Sequence, residues 1–430
     1  MSDALIPDGW TQVKLDDVCS IFSGFPFKSA SWKTNGTPVI KITNVKRGQV
    51  SLDSCGYVSP DSYPTDHKFW IQSQDVLIAL TGYVGELAFI GEQHTKCLIN
   101  QRVGCLRSRG DHVTRFLFYL LSTSELQSNI VSLSTGSAQS NVSPRSIESI
   151  SILLPPLHEQ KAIAHILGSL DDKIDQLRKT NSVLEDMASA LFKSWFVDFD
   201  PVMAKQESRP TGLPPEVDAL FPDSFEDSSL GPIPAGWRVA GLASTGEFLN
   251  GLALQKYPGD VLPVIKIPQL RQNSSEGADR CSNGVAPQYV IDDGDLLFSW
   301  SGTLVAGWWT AGKGALNQHL FKVSSGELST VMLKHWIDHH LPWFRLVASS
   351  KAVTMGHIKR GHLDEAKVVI PEPTFKDYAD SILADYRDKY IINGKQILTL
   401  TNLRDTLLPK LISGELRVPE AEQMVAELGL

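Results

Sequence analysis

The 430-residue sequence is poor in cysteine and lacks long apolar runs. Its five cysteines are odd in number and lack the close spacing of a disulfide framework or a zinc site; they are Cys19, Cys55, Cys97, Cys105 and Cys281. No run of about 18 apolar residues is present, and the first ten residues lack the basic and apolar segments of a secretion signal. These absences argue against a disulfide-stapled secreted domain and against a membrane span. We therefore expect a cytoplasmic protein that does not contact a membrane.

The sequence also lacks the common motifs of catalysis and nucleotide binding. It contains no Gly-x-Gly-x-x-Gly, no Gly-x-Ser-x-Gly and no Asn-Pro-Pro-aromatic run. Residues 307–314 approach the spacing of a phosphate-binding loop, but Gly314 stands where magnesium requires a hydroxyl, so this run predicts a strand and a turn with buried tryptophans. His335 and His339 lack the glutamate of a zinc protease, and we expect them on a helix surface. We predict no catalytic residue and no metal site.

The formal net charge of −8 argues against a protein that holds DNA by bulk electrostatic attraction. The excess of acid lies outside residues 1–155 and 233–373, where basic and acidic side chains nearly balance. This balance leaves room for local basic patches in the two regions. We expect any affinity for nucleic acid to require partner subunits.

What the sequence does contain is a long internal repeat. Ile6–Trp10 returns as Ile233–Trp237, and Pro38–Ile42 returns as Pro263–Ile267. Further matches follow in the same order, with Asp75, Thr81-Gly82 and Asn100–Arg102 corresponding to Asp295, Ser301-Gly302 and Asn317–His319. The repeat predicts two copies of one domain, called here the first head and the second head, whose loops differ between the copies.

Each head is followed by a helical segment with an apolar heptad pattern. The first seam comprises Ile163, Leu167, Leu170, Ile174, Leu177, Asn181, Leu184, Ala188, Leu191 and Trp195. A shift of 216 residues, from Leu191 to Leu407 for example, gives a second seam of Ala379, Leu383, Tyr386, Tyr390, Asn393, Ile397, Leu400, Arg404, Leu407 and Leu411. We predict that the two helices pair antiparallel, with the heads at opposite ends. Asn181 and Asn393 either fix the register as buried polar residues or lie where the seam faces solvent.

These patterns predict an α+β protein with two tandem α/β heads and two long helices that form an antiparallel coiled coil. The first head contains β-like runs at Thr37–Thr43, Asp75–Leu80 and Glu86–Ile90 and a helix at Thr114–Leu126. The predicted boundaries are 1–155 for the first head, 156–200 for the first helix, 201–232 for an extended, acidic, proline-rich linker, 233–373 for the second head, 374–418 for the second helix and 419–430 for a tail.

Taken in order, several short runs resemble the DNA specificity subunits of Type I restriction-modification systems over nearly the whole chain. The runs are Pro38–Val45 (PVIKITNV), Asp75–Glu86 (DVLIALTGYVGE), Asn100–Gly104 (NQRVG), Gly136–Ser143 (GSAQSNVS), Leu154–Gln160 (LPPLHEQ), Ser194–Pro201 (SWFVDFDP) and Arg404–Arg417 (RDTLLPKLISGELR). Each run is weak alone, but their order is specific. The second head departs from the pattern at Met355–Ile358 and at Pro371–Pro373, so its contacts carry over less directly.

The resemblance implies a non-catalytic subunit that reads double-stranded DNA with two target-recognition domains, one for each half of a split site. It also implies that the long helices dock methyltransferase (M) subunits and that a restriction (R) subunit joins the complex. S-adenosylmethionine, ATP and magnesium are then expected only in those partners, and no cofactor is expected in this chain. We predict that Phe192, Phe196 and Phe199 contact a partner; packing within the chain is an equally good alternative.

Base readout requires side chains with two hydrogen-bonding groups, and phosphate contact requires cations. In the first head the loops offer Lys28, Lys33, Asn44, Lys46, Arg47, Tyr83, Gln93, His94, Lys96, Gln101, Arg102, Gln139, Asn141 and Arg145. In the second head they offer Gln255, Lys256, Gln269, Arg271, Gln272, Ser301, Lys313, Gln318, His319, Lys351, His357, Lys359 and Arg360. Loop residues of these types are often only solvated, so we expect a minority of them to touch DNA.

Two other functions remain open on the sequence. The chain can be an adaptor that joins proteins through its helices without reading DNA, or a nucleotide-dependent enzyme that uses the loop around Lys313. A sequence-specific gel shift in the presence of the cognate methyltransferase distinguishes DNA recognition from the adaptor. Titration of the chain with ATP tests the enzyme.

Overall fold

A computed structural model of the chain describes residues 6–46, 48–52, 55–63, 67–91, 96–134, 140–350 and 356–427. The chain divides into two compact units. Unit 1 comprises Met1–Lys173 and Thr401–Leu430, and unit 2 comprises Ile174–Leu400. Unit 1 therefore contains the first head and unit 2 contains the second, and each unit includes parts of the two long helices.

The first head is built from two four-stranded sheets and two strand pairs. Its strands are β1 (Thr11–Lys14), β2 (Cys19–Ser23), β3 (Trp32–Lys33), β4 (Thr37–Ile40), β5 (Val45–Lys46), β6 (Gln49–Val50), β7 (Gly56–Val58), β8 (Val76–Ala79), β9 (Leu87–Phe89), β10 (Leu98–Ile99), β11 (Val103–Ser108) and β12 (Ser151–Leu154). Its helices are α1 (Leu15–Val18), α2 (Thr114–Leu121), α3 (Ser124–Ser132) and α4 (Pro144–Glu148). One sheet has the antiparallel order β2-β11-β8-β9, and the other has the order β10-β4-β7-β3 with β10 and β4 parallel. Strand β1 pairs with β12, and β5 pairs with β6.

Short apolar runs produce the central strands. All four residues of β8 are buried, as expected for a strand that is covered on both faces. The runs predicted at Thr37–Thr43, Asp75–Leu80 and Glu86–Ile90 are confirmed as β4, β8 and β9, each somewhat shorter than predicted.

The helix predicted at Thr114–Leu126 is divided in two. The hydroxyl of Ser122 donates to the carbonyl oxygen of Phe118 at 2.7 Å, and the hydroxyl of Thr123 donates to that of Leu120 at 2.9 Å. Such local hydrogen bonds compete with helix continuation, so α2 ends and α3 begins beyond them.

The second head repeats this topology after helix α5 (Leu157–Phe196), which begins in unit 1 and continues into unit 2. The strands that follow are β13 (Phe225–Ser228), β14 (Gly231–Pro234), β15 (Arg238–Gly241), β16 (Gly246–Asn250), β17 (Leu262–Ile265), β18 (Arg280–Cys281), β19 (Val290–Ile291), β20 (Leu296–Ser299), β21 (Ala306–Trp308), β22 (Gly314–Leu316), β23 (Leu320–Ser325) and β24 (Lys367–Ile370). The helices are α6 (Asp200–Gln206), α7 (Pro215–Asp218), α8 (Leu242–Thr245), α9 (Ile267–Gln272), α10 (Thr330–Ser350) and α11 (Arg360–Glu365). The order β16-β23-β20-β21 matches β2-β11-β8-β9, β17 and β22 are parallel like β4 and β10, and β15 pairs with β24 as β1 does with β12.

Helix α12 (Pro373–Ser413) pairs with α5 in the predicted antiparallel direction, and α13 (Val418–Ala426) follows it. In unit 1, Arg404 late in α12 donates to Asp171 early in α5 at 2.8 Å. In unit 2, the ring of Phe375 at the start of α12 lies 5.6 Å from the ring of Trp195 at the end of α5. None of the described helices is long and apolar enough to cross a membrane.

Asn181 and Asn393 form a direct polar contact within this seam. The side-chain amide of Asn393 donates to the amide oxygen of Asn181 at 2.8 Å, and Asn181 donates to the backbone oxygen of Tyr390 at 3.2 Å. Asn181 is only 7% exposed. The register-fixing alternative is therefore confirmed, because a one-sided shift of either helix would leave a buried amide without a partner.

The first head is joined to the helices of unit 1 by shared carboxylates. Asp171 accepts a hydrogen bond from the hydroxyl of Tyr119 in α2 at 2.7 Å, in addition to the one from Arg404. Burial, together with this carboxylate, raises the pKa of Tyr119, so the hydroxyl remains a donor. Glu159 accepts from the indole of Trp10 at 3.0 Å and from Arg417 at 3.2 Å. Residues 401–427 are therefore part of the packing of the first head.

Three phenylalanines predicted at a partner surface belong instead to the second head's core. Phe192 is 3% exposed, Phe196 is fully buried, and Phe199 packs against the same apolar cluster. We correct the partner assignment of these residues, since their side chains already have partners within unit 2. His335, predicted on a helix surface, is also buried and stacks on Phe192 with 5.1 Å between ring centroids. Burial lowers the pKa of His335 to about 3, so its ring is neutral.

The segment predicted as an extended linker, 201–232, is more folded than expected. It contains most of α6, all of α7 and the first part of the β13-β14 hairpin. Pro201 and Pro215 stand in the first turns of the two helices, where a missing backbone N–H costs little. Phe221 is 3% exposed and lies 4.3 Å from the ring of Phe375, so the segment contributes to the core of unit 2.

The asparagine pair predicts a non-additive pair of substitutions. Asn181→Leu removes the acceptor of a half-buried amide and should lower the free energy of unfolding by about 1–3 kcal/mol. The double variant Asn181→Leu/Asn393→Leu replaces both polar groups and should recover most of that loss, because no amide remains unpaired. Urea unfolding of both variants measures the difference. Equal destabilisation by each change, with simple addition in the double variant, would contradict the proposed pairing.

Candidate nucleic-acid interface

A set of backbone hydrogen bonds gathers three loops of the first head into one site, called here the loop frame. The N–H of Gln101 donates to the carbonyl of Phe25 at 3.0 Å, and the N–H of Leu80 donates to the carbonyl of Arg102 at 2.9 Å. The N–H of Val142 in turn donates to the carbonyl of Leu80 at 2.9 Å. The β2–β3, β8–β9 and β10–β11 connections are thereby joined to the chain that enters α4.

The loop frame surrounds an open polar cleft. The cleft has a volume of about 580 Å³ and is lined by Ser23, Gly24, Pro26, Thr81, Gln101, Arg102 and Asn141. The hydroxyl of Thr81 donates to the amide oxygen of Asn141 at 3.1 Å, which fixes that side chain at the rim. Gln101 and Arg102 are exposed, and within the described part of the chain no hydrogen bond or ion pair engages their side chains.

The second head has the same loop frame. The N–H of Gln318 donates to the carbonyl of Leu252 at 2.9 Å, and the N–H of Trp300 donates to the carbonyl of His319 at 3.3 Å. The N–H of Ile358 donates to the carbonyl of Trp300 at 2.9 Å. These bonds are the counterparts of the three in the first head. The bridge between Thr81 and Asn141 is likewise repeated between Ser301 and His357.

Glycine is required where the first loop crosses the turn between the two sheets. A Cβ on Gly24 would lie 2.3 Å from the carbonyl oxygen of Ile99, and a Cβ on Gly251 would lie 2.2 Å from that of Asn317. These distances are far inside van der Waals contact with backbone atoms that cannot rotate away. The two equivalent glycines therefore make the close approach in each frame possible.

The side chains on the two frames differ more than the frames do. In the second head the hydroxyl of Ser301 is 2.9 Å from Nδ1 of His319, and the amide nitrogen of Gln318 is 3.3 Å from Nε2 of the same ring. The indole N–H of Trp300 donates to the side-chain oxygen of Asn250 at 2.8 Å. The second frame is thus already hydrogen-bonded internally, whereas the first presents an exposed amide and guanidinium.

Most of the predicted DNA-binding residues are exposed. These are Lys28, Lys33, Lys46, Tyr83, Lys96, Gln101, Arg102, Asn141, Arg145, Gln255, Lys256, Arg271, Gln272, Lys313, His357, Lys359 and Arg360. Gln318 and His319 are half-buried, and Ser301 is 4% exposed. The frames bring together Gln101, Arg102 and Asn141 in the first head and Ser301, Gln318, His319 and His357 in the second. Arg47, Gln93, His94, Gln139 and Lys351 lie outside the described residues.

Two of the predicted residues have structural roles instead. Asn44 is 1% exposed; its amide accepts from the N–H of Lys41 at 2.9 Å and donates to the carbonyl of Ser51 at 2.9 Å. Gln269 is 8% exposed and accepts from the N–H of Lys266 at 3.3 Å. We correct both assignments, because these amides stabilise equivalent turns and are not available to bases.

The glycine-rich run at 307–314 is confirmed as a strand and a turn. Trp308 is 6% exposed and Trp309 is fully buried. The N–H of Gly312 donates to the carboxylate of Asp293 at 2.8 Å. A carboxylate in that position would repel a phosphate, so the nucleotide-binding alternative has no support here.

Sequence reasoning missed Ser23, Gly24 and Pro26 in the first cleft and Trp300 in the second. A signal was available, because Gly24 and Gly251 occupy matching places in the repeat and both precede the strand that leads to the shared Pro-Val-Ile-Lys-Ile run. The glycines carry no polar side chain, so a search for base-reading groups passes over them.

Comparisons with known proteins agree with this site. Residues 7–186 match the family model described as Type I restriction modification DNA specificity domain. The MjaIX specificity subunit of Methanocaldococcus jannaschii is 28% identical over 327 residues, covering 72% of this chain and 70% of the relative. The HindI specificity subunit of Haemophilus influenzae is 26% identical over 357 residues, covering 70% and 77%. The crystal structure of a Type I S subunit from M. genitalium aligns with a TM-score of 0.57 at 15% identity over 95% of this chain and 97% of that one, which supports the fold.

The repeated heads and their polar loop frames thus define a DNA-recognition protein rather than an enzyme fold with its own active site. The chain belongs to the family of Type I restriction-modification specificity subunits, which recognise DNA and assemble with other subunits.

The close glycine contact predicts that Gly24→Ala displaces the Asn100–Arg102 turn. We expect the added methyl group to lower stability by about 1–3 kcal/mol and to weaken recognition by the first head. Gly251→Ala should act in the same way on the second head. Urea unfolding and DNA binding in the assembled complex measure both effects.

The matched control for these variants is Gly361→Ala, where an added Cβ meets no atom within 4 Å. This variant should retain wild-type stability and binding. If Gly24→Ala behaved like Gly361→Ala, the close approach would not matter to the frame.

Proposed function

We propose that this chain is the target-reading subunit of a Type I restriction-modification complex and that each head recognises one half of a bipartite site in double-stranded DNA. The observation that carries the proposal is the repeated loop frame, in which equivalent backbone bonds hold different side chains. Amide and guanidinium groups at such positions can make two hydrogen bonds to a base edge in the major groove. Two unlike sets on one frame suit two unlike half-sites.

The length of the two helices supports a divided target. Helices of 40 and 41 residues extend roughly 60 Å at about 1.5 Å per residue. Half-sites one turn of DNA apart have centres about 34 Å from each other. A spacer of this length is sufficient for a target with a gap between its two halves.

The charge balance supports binding within a complex. The chain carries a net charge of −8, so it cannot obtain much affinity from general attraction to phosphates. We infer that methyltransferase (M) subunits supply phosphate contacts together with the methylation reaction, and that a restriction (R) subunit supplies cleavage. S-adenosylmethionine, ATP and magnesium then belong to those partners, and the complex acts in the cytoplasm.

The outer face of α5 is the surface we assign to a methyltransferase subunit. Val183 and Met187 are 55% and 51% exposed and stand one helical turn apart. Large apolar side chains at this exposure are favoured at protein interfaces, and methionine is enriched there. These residues replace Phe192, Phe196 and Phe199 as the candidate contacts.

Exchange of the first head tests the assignment of one half-site to each head. Replacement of residues 1–155 by the equivalent head of a relative with another target should change one half of the methylated motif. The other half should stay the same, because the second frame is built within unit 2. Sequencing of methylated DNA from cells that express the complex provides the readout, and a change in both halves would refute the modular assignment.

Met187→Asp tests the partner surface. A carboxylate buried against a partner without a counter-charge is costly, so co-purification with the methyltransferase should fall by about tenfold. Met203→Asp is the matched control, since Met203 is 43% exposed on α6. It should leave co-purification unchanged. Equal yields for both variants would remove this face of α5 from the interface.

A further inference from the structure

We propose that two equivalent positions of the loop frame determine which bases each head accepts: Arg102 and Asn141 in the first head, and His319 and His357 in the second. This inference rests on the proposed function and assigns the specificity of that same site. It follows from a comparison of the two frames position by position.

Two frame positions carry the same chemistry in both heads. A hydroxyl is supplied by Thr81 or Ser301, and an amide is supplied by Gln101 or Gln318. The backbone around them is also equivalent, as the matching bonds to Phe25 and Leu252 demonstrate. Groups that are the same in both heads cannot by themselves distinguish two different half-sites.

The remaining two positions differ in charge and in hydrogen-bonding pattern. Position 102 is an arginine, whose planar fork donates two parallel hydrogen bonds and suits the O6 and N7 acceptors of guanine. The equivalent residue, His319, has its two ring nitrogens near Ser301 and Gln318 at 2.9 and 3.3 Å. A guanidinium that is free to reach a base is therefore replaced by a ring that is held inside its own frame.

The second pair differs in the same sense. Asn141 has an amide that can donate and accept at one base edge, and its oxygen already accepts from Thr81 at 3.1 Å. His357 lies edge-on to Trp300 with 6.3 Å between ring centroids, which fixes the ring by an aromatic contact. The first head thus presents the groups that read guanine and adenine, and the second presents two imidazoles.

Both positions in the first head are exposed, which makes substitution there possible without loss of the core. Asn141 and Arg102 line the polar cleft, and the backbone bonds of the frame use their peptide groups and not their side chains. Replacement of the side chains therefore keeps the frame and changes the recognition chemistry.

The test is the exchange variant Arg102→His/Asn141→His in the full chain, expressed with its methyltransferase partner. The methylated motif is then read by sequencing. We expect base preference to change at one or two positions of a single half-site, with the other half-site unchanged. The single variant Arg102→Ala should lose discrimination for guanine by about 10- to 100-fold at one position.

The matched control is Arg109→His. Arg109 follows the opposite end of β11 from Arg102, forms an ion pair with Asp16 and takes no part in the frame. This variant should retain the wild-type motif in both halves.

The unchanged half-site serves as an internal control for folding and assembly. If Arg102→Ala and the double variant left the motif intact, or weakened binding equally for every sequence, the specificity assignment would be overturned. A wild-type complex without any bipartite motif would instead overturn the proposed function itself.

Discussion

The functional surface depends on hydrogen bonds between peptide groups of loops that are far apart in sequence. Each frame requires a glycine, Gly24 or Gly251, because the chain crosses a carbonyl oxygen too closely for any Cβ. Peptide groups are the same in every residue, so the frame survives a change of side chain at its rim. This separation of scaffold from side-chain chemistry explains how one architecture can occur twice in a chain with different polar groups.

The long helices use the opposite strategy, since side chains define their pairing. Ten seam positions of each helix contribute apolar or polar contacts, and the Asn181–Asn393 bond is satisfied in one register only. Asp171 adds a second constraint by accepting from both Tyr119 and Arg404. Substitutions in the helices are therefore costly, in contrast to those at the rims of the frames. The constant 216-residue offset of the seams and the drifting offsets of the heads reflect this difference.

The sequence predicted features that depend on periodicity and repetition, and it failed where the answer depends on tertiary burial. The heptads identified both helices, and the repeat located Gln101 and Gln318 on matching turns. Asn44 and Gln269 were misassigned because a polar residue in a loop looks the same whether it faces solvent or supports a turn. Phe192 and His335 were misassigned because a helix next to a head is covered on more faces than its seam. No local pattern records that additional cover.

The composition of unit 1 bears on the order in which the protein forms. Glu159 accepts from both Trp10 and Arg417, and Gly414 lies against Pro7, so the first head is packed by residues that are synthesised after the whole of unit 2. Domains generally fold as the chain emerges, at about 5–20 residues per second. Unit 2 can therefore complete its core while the first head still lacks the 401–427 segment. During translation, the head made first is the one completed last.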